Sequence, residues 1–208
     1  MFDPSTDFET IVDGAEAVTL LSRGSESVAV ATALRRSVGH AEVEASDGRY
    51  RAGDTRWHLS QTQYATRPGL GDEIQDADGT RWTIVAVEDA TLSARWACVA
   101  RDLPESFGLS DLVTIERQTT AKGTAGAVER TWTVYRTVRA RIQPTTVEMV
   151  SDDGAMVTRR AYSVFIAEDV EVNQSCRLRD ERGNYYRVVG YTGAEQIGEL
   201  QTIEAEAW

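Results

Sequence analysis

Few side chains in this sequence have the types and spacing for chemistry. His40 and His58 are the two histidines. A zinc centre needs about four Cys, His or carboxylate ligands at short spacings, and no CxxC or HxxxH occurs. His58 lies in "RWHLSQ", where strand alternation puts it on the side opposite Trp57 and Leu59. That predicts an exposed strand residue rather than the base of a triad. The stretch "DEIQDADG" (72–79) has part of a calcium loop. Asp76, Asp78 and Gly79 could stand at positions three, five and six, but Ile74 and Val85 would then fill positions one and twelve, which need oxygen. An Asp-rich hairpin turn accounts for it better. "GLGDEI" and "KGTAGAV" lack the spacing or the strand-to-helix setting of a phosphate loop. The acid pairs Glu88–Asp89 and Asp152–Asp153 could serve proton transfer. With a net charge of -11, however, adjacent carboxylates are what a solvated face presents. The residues therefore assign no catalytic residue, no metal and no cofactor. The remaining enzymatic reading is a carboxylate-based hydrolase with a site that is not apparent in the chain.

Composition narrows the class. The chain has 208 residues, 41% apolar and 26% charged, which suits one large or two smaller globular domains. No run of about 20 apolar residues offers a membrane span. The acidic start "MFDPSTDFETIVDG" lacks the positive region of a secretory signal. A pI near 4.7 argues against gripping nucleic acid, which takes Lys and Arg. It is compatible with letting DNA pass, because a carboxylate wall repels phosphate. Lys122 is the one lysine; the other basic residues are Arg, a bias that reads chiefly as codon composition and secondarily as suited to subunit contacts. Cys98 and Cys176 sit in the strand-like "RWACVAR" and "NQSCRLR" and read as free thiols at packed positions, with pairing or reactivity as the alternative.

The elements that would position these residues occur twice. A shift of 104 places Ile74, Asp76, Gly79, Trp82, Ile84 and Val85 on Leu178, Asp180, Gly183, Tyr186, Val188 and Val189. The same shift puts Trp96 on Leu200, Val99 on Ile203, Leu34 on Val138, Arg35 on Arg139 and Val38 on Ile142. Farther upstream, "VTLL" (18–21) meets "VTIE" (113–116) at a different offset. A duplication explains this; the alternative is one β-rich domain with two similar hairpins. The expected organisation is an N-terminal arm at 1–13, a first repeat at 14–102, a linker at 103–108 and a second repeat at 109–208. Each repeat carries five or six short alternating strands, so the fold class is all-β, two small antiparallel barrels or sandwiches in tandem. Asp78-Gly79 and Arg182-Gly183 mark hairpin turns. Pro144 should end the strand "TWTVYRTVRARIQP". "SVAVATALRR" (27–36) could be helix, although its counterpart favours strand. Most aromatics near the hairpins should be core. Phe107 and Trp208 are harder to bury within one repeat, which makes them candidates for packing between repeats or subunits.

The second repeat resembles phage head–tail joining proteins of the stopper type. The pattern runs "LVTIERQT", the Gly-containing loop "AKGTAGAVE", "TWTVYRTVRARIQP", the loop "VSDDGAMVTRR", "AYSVFI", "SCRLRDE", "GNYYRVVGY" and "ELQTIEAEA". It covers nearly all of 109–208. The first repeat keeps the late hairpin and closing strand but has "ESVAVATALRRSVGH" where the Trp–strand–Pro segment should be. The resemblance implies a non-enzymatic virion protein that forms a homo-oligomeric ring, six- or twelve-fold, in the phage neck. Its partners would be a portal or adaptor protein, a tail-terminator or tail-tube protein, and double-stranded DNA passing through the lumen. In such proteins a loop narrows or closes the channel. The matching loops here are 143–160 and 39–56, with Asp152, Asp153, Gly154, Asp47 and Gly48 as channel candidates; a plain solvated turn is the alternative. Phe107, Arg139, Arg141 and Trp208 are the subunit-interface candidates. A tail-completion or minor tail protein built on the same barrel is the runner-up.

Overall fold

A computed structural model gives the fold and describes residues 8, 10, 14–22, 27–89, 94–122, 128–152 and 155–208. The chain divides into two compact units, Met1–Ser106 and Phe107–Trp208. The first holds β1 (Ala15–Leu21), β2 (Val28–Ser37), the short helix α1 (His40–Glu44), β3 (Thr55–Ser60), β4 (Glu73–Gln75), β5 (Arg81–Asp89) and β6 (Arg95–Arg101). A turn of helix, α2 (Leu103–Ser106), closes it, with the Asp102 carboxylate accepting from the Glu105 amide at 3.0 Å. The second unit holds β7 (Asp111–Lys122), β8 (Val128–Asp152), β9 (Ala155–Ile166), β10 (Cys176–Asp180), β11 (Tyr185–Thr192) and β12 (Gln201–Ala207). Segment 27–36, open between helix and strand in the sequence, is strand: Val28, Ala29 and Val30 pair with β1.

Both units are closed antiparallel barrels with one topology. The strand orders are β1-β2-β3-β6-β5-β4 and β7-β8-β9-β12-β11-β10. The interiors correspond side chain by side chain, because alternate residues of each strand point inward. Val18 and Leu20, Trp57 and Leu59, Ile74, Ile84, Cys98 and Ala100 fill the first. Val113 and Ile115, Val164 and Ile166, Leu178, Val188, Ile203 and Ala205 fill the second. Both cysteines are free and buried, and burial pushes the Cys98 thiol up to about 12.

Register corrects the sequence alignment in two places. The pairs Leu20↔Ile74 and Ile115↔Leu178 confirm the offset of 95 between "VTLL" and "VTIE". Ile84↔Ala100 and Val188↔Ala205 set Ala100 against Ala205, however, so the closing strands are offset by 105. Cys98, not Val99, therefore occupies the place of Ile203. Arg35↔Trp57 and Ile142↔Val164 likewise match Arg35 with Ile142 rather than with Arg139. A slip of one residue exchanges the two faces of a strand. Val99 points outward, where Val38 and Tyr50 bury it.

His58 is the third correction. It does point away from Trp57 and Leu59, yet it is buried, because the outer face of β3 is covered as well. Burial first, then the Arg95, Arg36 and Arg56 charges, hold its imidazole down at about 4. The turn at Asp78-Gly79 also differs: Gly79 alone takes positive φ, 85°, in a loop where the Asp76 amide donates to the Thr80 carbonyl. Most of the leader 1–13 lies outside the described residues. Its Phe8 is buried, with the Arg95 guanidinium 5.5 Å from the ring centroid.

Candidate functional site

The barrels part company after their second strand. In the first, β2 and β3 stop pairing at Ser37↔Thr55. Residues 38–54 then fold back as α1 and turns. Asp54 anchors them, its carboxylate accepting from Arg101 Nε at 2.7 Å and from the Arg51 amide at 2.8 Å. Glu42 accepts from Arg36 at 2.9 and 3.1 Å and from the Gly39 amide, which hold its carboxyl down at about 2. Asp47 and Gly48 form an exposed turn with φ of 53° and 82°.

In the second barrel the ladder does not stop. Pro144 pairs opposite Tyr162, and β8 and β9 continue pairing to Asp152↔Ala155. Pro144 thus fails to end the strand, because it sits beside a bulge. Thr145 is the extra residue between the pairs Pro144↔Tyr162 and Thr146↔Ala161, and a bulge is where a strand tolerates a missing donor. A second bulge, at Tyr135, lies between the pairs Ile115↔Arg136 and Glu116↔Val134. Beyond it β7 and β8 pair out to Lys122↔Val128. The two bulges bracket 136–144, the part of β8 that belongs to the barrel wall. Outside it the strand feeds two hairpin arms. Val134 is 63% exposed, Val147 64% and Met149 68%. Segment 143–160, expected as a loop, is mostly one of these arms. Asp152 lies in its last pair; Asp153 and Gly154 lie outside the described residues.

The interface candidates have different surroundings. Arg141 Nη1 donates to the Phe107 carbonyl at 3.1 Å, and its guanidinium lies 5.1 Å from the Phe165 ring centroid. Arg139 is exposed opposite Leu112. Trp208 is 66% exposed and meets Trp132 edge to face at 5.7 Å. Between them Arg177 stacks on Trp132 at 4.4 Å and Tyr185 at 4.3 Å, while Glu116 accepts from its Nε at 2.7 Å. Sequence reasoning missed this cluster. Its signal was present as outward Arg and aromatic positions on adjacent strands, but that signal needs the register to be read. Glu88 accepts from the Tyr50 hydroxyl at 2.7 Å in the first unit, and Asp152 belongs to the second.

Residues 106–207 match the model of the family described as phage head completion protein. Through these residues, just under half of its length, the chain is similar to that family. It is a structural protein of the phage virion. The matched head completion segment coincides with the second barrel, the one that carries the arms. No curated protein matches the chain. Among solved structures, a chain of "Virion of native gene transfer agent (GTA) particle" is 14% identical, over 46% of this chain and 90% of that one, with a TM-score of 0.39.

Proposed function

We propose that the protein forms a homomeric ring in the phage neck, between the portal or its adaptor and the tail, with the β8–β9 arms directed at the channel. The supporting observation is the difference between the barrels. The half that matches the head completion family projects a hairpin where the other half folds α1 against its own wall. An arm whose described side chains are largely exposed contributes little to its own barrel, so its role lies with other molecules. Its tip region, 145–158, carries Glu148, Asp152 and Asp153 and no Lys or Arg. Such a lining repels phosphate and lets DNA slide. In this arrangement Asp47 and Gly48 stay on the barrel surface, and Trp208 and Arg139 remain available to neighbours. Arg141 and Phe107 instead join β8 to the segment preceding β7.

Electron microscopy of the particle neck tests the ring, with a closed ring and central channel as the expected image. Replacing Asp152 and Asp153 together by Arg should slow DNA exit or trap DNA, because the wall would then bind phosphate. Normal ejection with the variant incorporated would remove the arm from the channel. Finding the protein only at the far end of the tail would favour a minor tail protein on the same barrel.

A further inference from the structure

The duplicated barrels differ in the charge of one equivalent face. In each, a valine is the extra residue of a bulge at the same place in the ladder. It is Val85 between Ile84↔Ala100 and Ala86↔Val99, and Val189 between Val188↔Ala205 and Gly190↔Glu204. A bulged residue is left out of the ladder and the local twist increases, so each barrel turns an apolar side chain to its outer face there, although Val85 is partly buried against the cluster of Val38, Tyr50 and Val99. On the first barrel Val85, Ala86 and Val87 form one side of a groove of about 480 Å³ with Pro68 and Leu70, and its charged lining is Arg49 and Arg67. Leu70 is 54% exposed. On the second barrel Val189 and Tyr191 are 41% and 38% exposed, and in the loop that follows, Ile197 is 42% exposed. The segment 189–200 carries Glu195 and Glu199 and no basic residue. Asp169 lies close enough to help raise the Tyr191 phenol above its usual range, after burial.

We infer that these two faces bind each other between copies of the chain: the β11–β12 face of one subunit seats in the β5 groove of the next. Both faces are apolar at the centre and charged at the rim, with opposite signs, which is the arrangement that selects partner and register. Because they are different surfaces, the contact is head-to-tail, and a head-to-tail contact closes into a ring or runs on as a filament. The duplication then has a structural consequence. Each subunit brings the two complementary versions of one ancestral face, so first and second barrels meet at every joint. The inference rests on the ring proposed above.

The test uses the full chain in assembled particles. Leu70→Cys and Ile197→Cys are introduced together, then singly, and the particles are oxidised. The pair should give a ladder of disulfide-linked multimers, and each single variant should give none beyond a dimer. Separately, Arg49→Glu with Arg67→Glu, or Glu195→Arg with Glu199→Arg, should raise the concentration needed for assembly about tenfold or more. Mixing the two reversed proteins should restore it, because each then offers the face that the other lacks. A ring seen by microscopy without the ladder would overturn this contact and leave the ring standing. Absence of both ring and ladder would overturn the two together. A disulfide formed within one chain would show that the faces meet internally, and would equally overturn the contact.

Discussion

One carboxylate organises the repeated hairpin in each barrel. Asp76 accepts from the amides of Asp78 and Thr80 and from Trp82 Nε1 at 3.0 Å. Asp180 accepts from the amides of Arg182 and Asn184 and from the Tyr186 hydroxyl at 2.9 Å. The aromatic is thereby tied to the turn while its ring enters the core, and burial with the Asp180 contact pushes the Tyr186 phenol up to about 12. Tyr186→Phe should cost about 1 kcal/mol in urea unfolding, the usual worth of one hydrogen bond. Tyr186→Ala should cost roughly 3–5 kcal/mol, since a cavity is added. Equal losses in the two variants would show that the ring does not pack as described. These residues were legible in the sequence because Asp, Gly and aromatic recur at one offset. His58 was not legible, because what covers an outer strand face comes from distant segments. Its folded value, about 4, lies below the ordinary 6.5. As pH falls the unfolded chain is protonated first, so the stability that depends on neutral His58 is whole above 6.5 and is lost between 6.5 and 4. Between pH 7 and 4.5 the wild type should lose about 2 kcal/mol more than His58→Gln, measured by denaturant titration at each pH. Glu42, held at about 2 by Arg36 and Gly39, loses its contribution only below about 4.5, outside that window.

At the scale of elements, alternation found most of the barrel strands and turn residues placed the repeated hairpins, but 143–160 read as a loop and 27–36 was open between helix and strand. Proline was misleading. Pro144 reads as a stop because it cannot donate to a ladder, but the bulge at Thr145 takes the strain and β8 runs on. Bulges have no composition of their own here: Tyr135 and Thr145 are ordinary strand formers, visible only once partners are known. The arms should be separable from the fold. Replacing 146–161 by an Asn-Gly turn should change the unfolding free energy by no more than about 1 kcal/mol, while the particle loses the function that the arm performs. A loss above about 3 kcal/mol in the same titration would mean that the arm belongs to the core.

For the whole molecule, the tandem organisation was visible as a repeat, although the correspondence needed four different offsets from strand to strand. Loops of unequal length absorb the difference, which is why one constant shift ran out of register at both ends. Separate interiors, one per unit, lead to a further expectation. Residues 107–208 expressed alone should unfold cooperatively, with coincident far- and near-ultraviolet circular dichroism transitions. A non-cooperative or molten product would show that the second barrel needs the first.

The continuity of β8 has a mechanical side. Its 25 residues enter from one arm, cross the barrel wall and leave into the other. The two arm tips are thus opposite ends of a single backbone. Tension applied at one tip is carried along that backbone and loads the wall's hydrogen-bonded ladders in shear, where many bonds share the force. A pull on the β8–β9 tip would therefore be felt at the β7–β8 tip without any barrel strand having to let go.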